Sequence, residues 1–282
     1  MSDIKLFICC HQSVELTPHP LLAPIQVGAA LADDHFPGFL HDDQGENISS
    51  KNSAYCELTG QYWAWKNVSA DYYGFFHYRR FLYPDTKAKA PYRVEREPSA
   101  ELLDKLGYGK FDKLIERYDL IAPKGEDMRV TVGQHYAAAP YHHMEDLETV
   151  EAIVRERHPE MAQALEGYLS GTVCYFGNIY IMKRDVFFDY CGWLFPILEE
   201  FDRRRDTWGY SHQEGRVDGY LAERLFGVYL TYRRQGLKTL ELPRVHFYPG
   251  AEYTKRRLLN ALLPPGSKRR SLVKRVKNRD GR

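Results

Sequence analysis

Residues 71–80, Asp71-Tyr-Tyr-Gly-Phe-Phe-His77-Tyr78-Arg79-Arg80, pass from an aromatic run straight into a histidine and two arginines. Two guanidiniums side by side are planar, permanently charged forks that fit phosphate oxygens. His77 can add a hydrogen-bond donor there, or serve as a lone metal ligand beside a carboxylate such as Asp71 or Asp43. A second polar concentration runs from Asp42 to Asn52, where Asp43, Asn47 and Lys51 offer a carboxylate, an amide and an ammonium at an expected helix start, a place whose free N–H groups favour anions. Later in the chain, Asp218 and Glu223 are carboxylates able to take a proton from a hydroxyl. The plainer readings differ: one arginine pairs with a carboxylate such as Asp71, the 42–52 stretch is an ordinary capped surface loop, and Glu223-Arg224 is a buried ion pair. Tyr141-His142-His143 offers a further base or metal ligand, Trp63 and Trp65 a stacking surface, and each of these also suits loop or core.

The elements that must position these groups follow from periodicity. Ile4 to Cys10 is a β-rich apolar run that fits a first buried strand, followed by loop. Tyr55, Leu58, Tyr62 and Trp65 fall on one face of a single helix capped by Ser50 or Ser53. The 72–76 run is a buried strand that breaks into charge, and polar groups just beyond strand ends are where open α/β sheets hold ligands. Helix is expected over 98–117 with breaks at Gly107 and Gly109, over 143–169 with a division near His158-Pro159, over 185–204, and over 216–234. Strands are expected over 118–123 and 175–183. This alternation argues a mixed sheet sandwiched by helices.

Composition narrows the possibilities. With 282 residues, 44% hydrophobic and 27% charged, the chain can bury a full core. No P-loop, Gly-x-Gly-x-x-Gly, Gly-x-Ser-x-Gly or His-Glu-x-x-His pattern occurs, which argues against P-loop kinases, dinucleotide oxidoreductases, serine hydrolases and zinc proteases. Five scattered cysteines without a Cys-x-x-Cys pair, an N-terminus without a signal-peptide pattern and the lack of any long apolar run fit a reducing, cytoplasmic setting. Residues 251–282 hold eleven Lys/Arg against two acids, a net +9 on a body of −8. Such a tail is expected to meet anionic lipid, placing the protein at the inner face of the cell membrane. The acidic body argues against nucleic-acid binding.

The strings Asn47-Ile-Ser-Ser-Lys-Asn52, Tyr55-Cys-Glu-Leu-Thr59, Tyr62-Trp-Ala-Trp-Lys-Asn67, 71–80, Asn178-Ile-Tyr-Ile-Met182 and Gly219-Tyr-Leu-Ala-Glu-Arg-Leu225 resemble, in order, a bacterial capsular and exopolysaccharide-biosynthesis family. It was formerly catalogued as a domain of unknown function and includes galactofuranosyltransferases. The resemblance implies a single α/β, Rossmann-like (GT-A-like) nucleotide-diphospho-sugar transferase domain over residues 1–250, with 251–282 as the basic tail. It implies a nucleotide-sugar donor, a uridine diphosphate sugar such as UDP-galactofuranose, and a growing glycan or polyprenyl-linked acceptor. The usual Asp-x-Asp metal motif of such folds is missing. A divalent Mn or Mg site therefore stays open, with Arg79 and Arg80 as substitutes for the metal. Under this reading Asp218, Glu223 and His77 are catalytic, and Asp43, Asn47, Lys51, Arg79, Arg80 and Asn178 bind donor. The alternative is a non-catalytic carbohydrate-binding or scaffold protein of the same pathway.

Overall fold

The computed structural model describes residues 2–205, 209–267, 269 and 270. Along the chain come β1 (Ile4–Cys10), β2 (Leu22–Gln26), β3 (Leu40–His41), α1 (Asn52–Tyr55), α2 (Leu58–Asn67), β4 (Tyr72–His77), β5 (Arg80–Leu82) and β6 (Tyr92–Glu95). Then follow α3 (Ala100–Lys105), α4 (Phe111–Ile115), β7 (Leu120–Pro123), β8 (Glu126–Asp127), α5 (Val132–Ala137), α6 (Met144–Arg157), α7 (Ala162–Ser170) and β9 (Val173–Cys174). The chain continues with β10 (Tyr180–Lys183), α8 (Arg184–Arg204), α9 (Val217–Arg233), β11 (Thr239–Leu242), β12 (Arg244–Phe247) and α10 (Gly250–Leu262).

The main sheet has the order β11-β7-β10-β4-β1-β2-β3. Only β10 runs against its neighbours on this path; the other pairs are parallel. The fold is thus α/β, with a mixed, mostly parallel sheet flanked by helices. Because side chains alternate across a strand, β1 feeds both faces. Phe7 and Cys9 enter the core beneath α2 and α5 to α9, whereas Leu6, Ile8 and Cys10 enter the core shared with α3, α4 and β12. Such two-sided burial explains why β1 and β4 read as unbroken apolar runs.

Gly74 lies at the crossing point of this sheet. A Cβ there would stand 2.4 Å from Leu6 Cδ2 and 3.0 Å from Ile181 Cγ1, so the central strand needs glycine. Beyond β4, the chain turns at Tyr78-Arg79 and returns as β5, His77 pairing with Arg80. Strand β12 joins β5 and β6 into a small flap beside this turn.

Two expectations change. The helix through Tyr55 and Trp65 is broken in two, because Cys56 adopts φ 52°, ψ −129°. The basic tail begins as a helix, α10; residues 271–282 lie outside the described residues. Among the described residues no helix is long and apolar enough to cross a membrane.

Candidate active site

Parallel strands β1 and β4 end at the same sheet edge at which antiparallel β10 begins, so His11, His77 and Asn178 arrive together. The rings of His11 and His77 lie 6.2 Å apart. His77 is half-buried, and burial, reinforced by Arg80 and Arg79, lowers its pKa to about 2. Its imidazole is therefore neutral at physiological pH. Arg79 N–H donates to His77 Nδ1 (3.2 Å), which leaves the ring proton on Nε2 as a free donor.

Arg79 is exposed and lies over the Tyr78 ring at 5.1 Å; Arg80 is half-buried. Among the described residues neither makes an ion pair with a carboxylate, so the pairing with Asp71 is not formed. Asp71 sits at the far end of β4, about 20 Å from His77 at the usual strand rise, where Asp3 N–H donates to it (2.8 Å). Asp71 and His77 therefore do not meet as ligands of one ion. Asp43 bonds to His35 (2.8 Å) instead. No three His, Cys, Asp or Glu side chains among the described residues are grouped to hold a metal ion.

Beside Arg80 stand two carboxylates held by adjacent residues, Glu57 by Asn178 and Glu223 by Gly177. The Asn178 amide donates to Glu57 (3.0 Å) and to the Gly219 carbonyl (3.0 Å), while Gly177 N–H donates to Glu223 (2.6 Å). Arg224, 2% exposed, pairs with Glu223 at 3.5 Å, so the expected ion pair exists, yet Glu223 keeps contact with the sheet edge. Asn178 is 4% exposed and its Oδ1 has no partner. Burial raises the Glu57 pKa, and the neighbouring Glu223 charge pushes in the same direction. Arg216 links the halves. Its Nε donates to Cys56 Sγ (3.3 Å), and its charge acts on His11 and His77 as well as Glu57.

Two positive-φ residues border this cluster. Cys56 (φ 52°) and Asn178 (φ 49°) are non-glycine residues at positive φ, each adjacent to this cluster. A non-glycine residue at such angles costs about 1–3 kcal/mol and persists where surrounding contacts enforce it. The Cys56 kink ends α1 and turns Glu57 toward Asn178.

The remaining candidates are held elsewhere. Asp218 is fully buried on another side of α9, paired with Arg205 (3.0 Å). Lys51 pairs with Asp202 (3.1 Å), which also accepts from Tyr55 Oη. Asn47 closes its own loop, donating to the Asp43 and Gly45 carbonyls and accepting from Ser49 N–H. His142 lies 4.4 Å from both Tyr136 and Tyr220, and His143 pairs with Glu214. Trp63 packs in the core against Phe7, and Trp65 stacks on Phe195. Sequence reasoning passed over His11, Glu57 and Arg216. Only Glu57 had a signal, its place inside the Tyr55-to-Thr59 string.

Comparison with known proteins gives two findings. Residues 5–235 match the model of a family described as a domain of unknown function, DUF4422. The apo structure of the WbbM bifunctional glycosyltransferase superimposes with a TM-score of 0.82 at 32% identity, over 87% of this chain and 45% of that one. The chain thus spans less than half the length of that protein. No curated protein matches.

Proposed function

Because the chain belongs to the DUF4422 family and is similar to one part of a bifunctional glycosyltransferase, we propose that it is a glycosyltransferase with a GT-A-like domain. It moves a sugar from a nucleotide-diphosphate donor, a uridine diphosphate sugar, onto a growing glycan. One observation carries this reading: Arg79 and Arg80 lack carboxylate partners among the described residues, and the Arg80 guanidinium lies beside Gly177, at the edge that holds Glu57, Asn178 and Glu223. Glycosyl transfer needs both halves.

Arg79, Arg80 and Arg216 neutralise the diphosphate as the bond from its oxygen to the anomeric carbon breaks. His77 Nε2–H adds a neutral donor. Glu57, its proton affinity raised toward the working pH, takes the proton of the acceptor hydroxyl as that oxygen bonds to the anomeric carbon. Glu223 and the free Asn178 Oδ1 hold sugar hydroxyls. A divalent ion does not fit the residues present, since no three His, Cys, Asp or Glu side chains among the described residues are grouped to hold one, and no step is assigned to it.

Release of nucleoside diphosphate from a panel of nucleotide sugars, with a glycan acceptor and excess chelator, tests the reading. Turnover that survives chelation is the expected result. Donor binding without turnover under any metal condition would make the protein a carbohydrate-binding component instead.

A further inference from the structure

Helix α10 lies on the protein with its polar side inward. Its half-buried positions are Glu252, Tyr253, Arg256 and Asn260. Arg256 stacks over Tyr248 (4.3 Å) and pairs with Glu252 (2.7 Å), Arg96 stacks on Tyr253 (5.2 Å), and Asn260 accepts from Arg270. The opposite side presents Leu258, Leu259 and Leu262 at 61, 41 and 75% exposure. No residue of the helix is buried. A helix resting on a protein core normally shows the reverse pattern, leucines in and charges out.

At 3.6 residues per turn, Lys255, Leu258, Leu259 and Leu262 occupy one surface, whereas Arg257 lies round the helix over the Tyr253 ring (6.0 Å). Arg269 is exposed just beyond the helix, and the sequence adds seven more Lys/Arg from 268 onward against Asp280 alone. Outward leucines with a lysine among them and cations just beyond the helix end fit a helix lying in a membrane interface, the lysine ammonium reaching back to the headgroups. Thirteen residues make a rod of about 20 Å, suited to lying flat rather than spanning. A second copy of this chain is a poor occupant, because it would bring another +9 segment against the first.

We propose that α10 docks this protein on an anionic lipid surface, its leucines entering the headgroup–acyl boundary while Lys255 and Arg269 meet lipid phosphates. The helix follows β12, whose His246 pairs with Arg80, so a docked helix brings the sheet edge that carries Arg80 close to the bilayer. The inference rests on the helix and the charge beside it, and stands apart from the transfer reading.

Co-sedimentation of the full chain with vesicles decides the matter. One set is phosphatidylcholine alone; the other contains roughly one-third phosphatidylglycerol. The chain should bind the anionic set and leave the neutral one. The Leu258→Gln/Leu262→Gln variant keeps the charge and, since both side chains are exposed, the melting temperature, yet should lose about 100-fold in affinity. Lys255→Gln/Arg269→Gln should lose about 30-fold at physiological salt. Three results would overturn the proposal: wild type remaining in solution with anionic vesicles, the leucine variant binding as wild type does, or a leucine-dependent dimer forming without lipid.

Discussion

Asp218 and Glu223 lie five residues apart on α9 and belong to two different kinds of charged cluster. Asp218 is enclosed: its Oδ2 meets Arg205, its Oδ1 is buried without a hydrogen-bond partner among the described residues, and Arg205 also meets Asp202, which takes Lys51 and Tyr55. That cluster joins α1, α8 and α9, and its charges are spent on one another. Around Glu223 the balance is reversed. Positive-φ backbone at Cys56 and Asn178 sets Glu57 and Asn178 at the sheet edge, and among the described residues Asn178 Oδ1 has no partner and neither Arg79 nor Arg80, the latter beside Gly177, has a carboxylate of its own. A closed network holds helices together; an open one holds charge ready for something that arrives. Burial alone does not separate the two.

The contrast breaks if variants in the open cluster behave like variants in the closed one. Arg80→Ala should lower donor turnover by about 10²–10³ with little change in melting temperature, measured by nucleoside diphosphate release beside a thermal melt. Arg80→Lys should recover only part of that loss, because an ammonium restores charge without the planar fork.

Asp218→Ala should do the opposite. Arg205 keeps Asp202 but loses its bond to Asp218, which should cost about 1 kcal/mol in denaturant unfolding, while donor affinity stays within a few-fold. The same residue carries a pH signature. Burial is the main cause that raises its pKa, to about 7, well above the ordinary carboxylate value. Its folded state therefore favours the proton, so unfolding free energy should fall as pH rises from about 4 to about 7. Asp218→Asn should flatten that slope, and a slope unchanged by Asn would assign the titration elsewhere.

Asn47→Ala should show an effect no larger, about 1 kcal/mol of stability from lost loop bonds with unchanged donor binding. Weakened donor binding at full stability would extend the open cluster to the 42–52 loop.

How much of this was legible depended on whether the signal was local. Helix α8, helix α9 and the division of α6 from α7 at His158-Pro159 follow from periodicity and proline, and β4 from its aromatic run. Strand β2 was hidden: it is five residues long, contains Pro24, and exists because β1 offers it a parallel partner. Its proline is tolerated because β3 pairs only with Ile25 and Gln26, leaving Pro24 at an open edge. The break at Cys56 was invisible for a related reason. Cysteine is no turn former, and its positive φ is imposed by tertiary contacts. His77, Arg79, Arg80 and Asn178 were readable because they sit at strand ends. Glu57 and Arg216 reach the site only through a kinked helix start and the residue just before a late helix, and no spacing announces that. Asp43, Asn47 and Lys51 have suitable chemistry, but the fold gives each a partner of its own.

The most direct measurement is the turnover and pH profile of Glu57→Gln beside wild type. Wild-type kcat/KM should rise with pH along an acid limb lying above the ordinary glutamate value of about 4.3, because burial raises the Glu57 pKa. Glutamine should abolish that limb and lower kcat by about 10²–10³. It should also leave the melting temperature unchanged or higher near neutral pH, since it removes a charge that the folded state holds at a disadvantage. A Glu57→Gln enzyme that turns over donor at the wild-type rate with the same acid limb would contradict the assignment of this cluster as the transfer site.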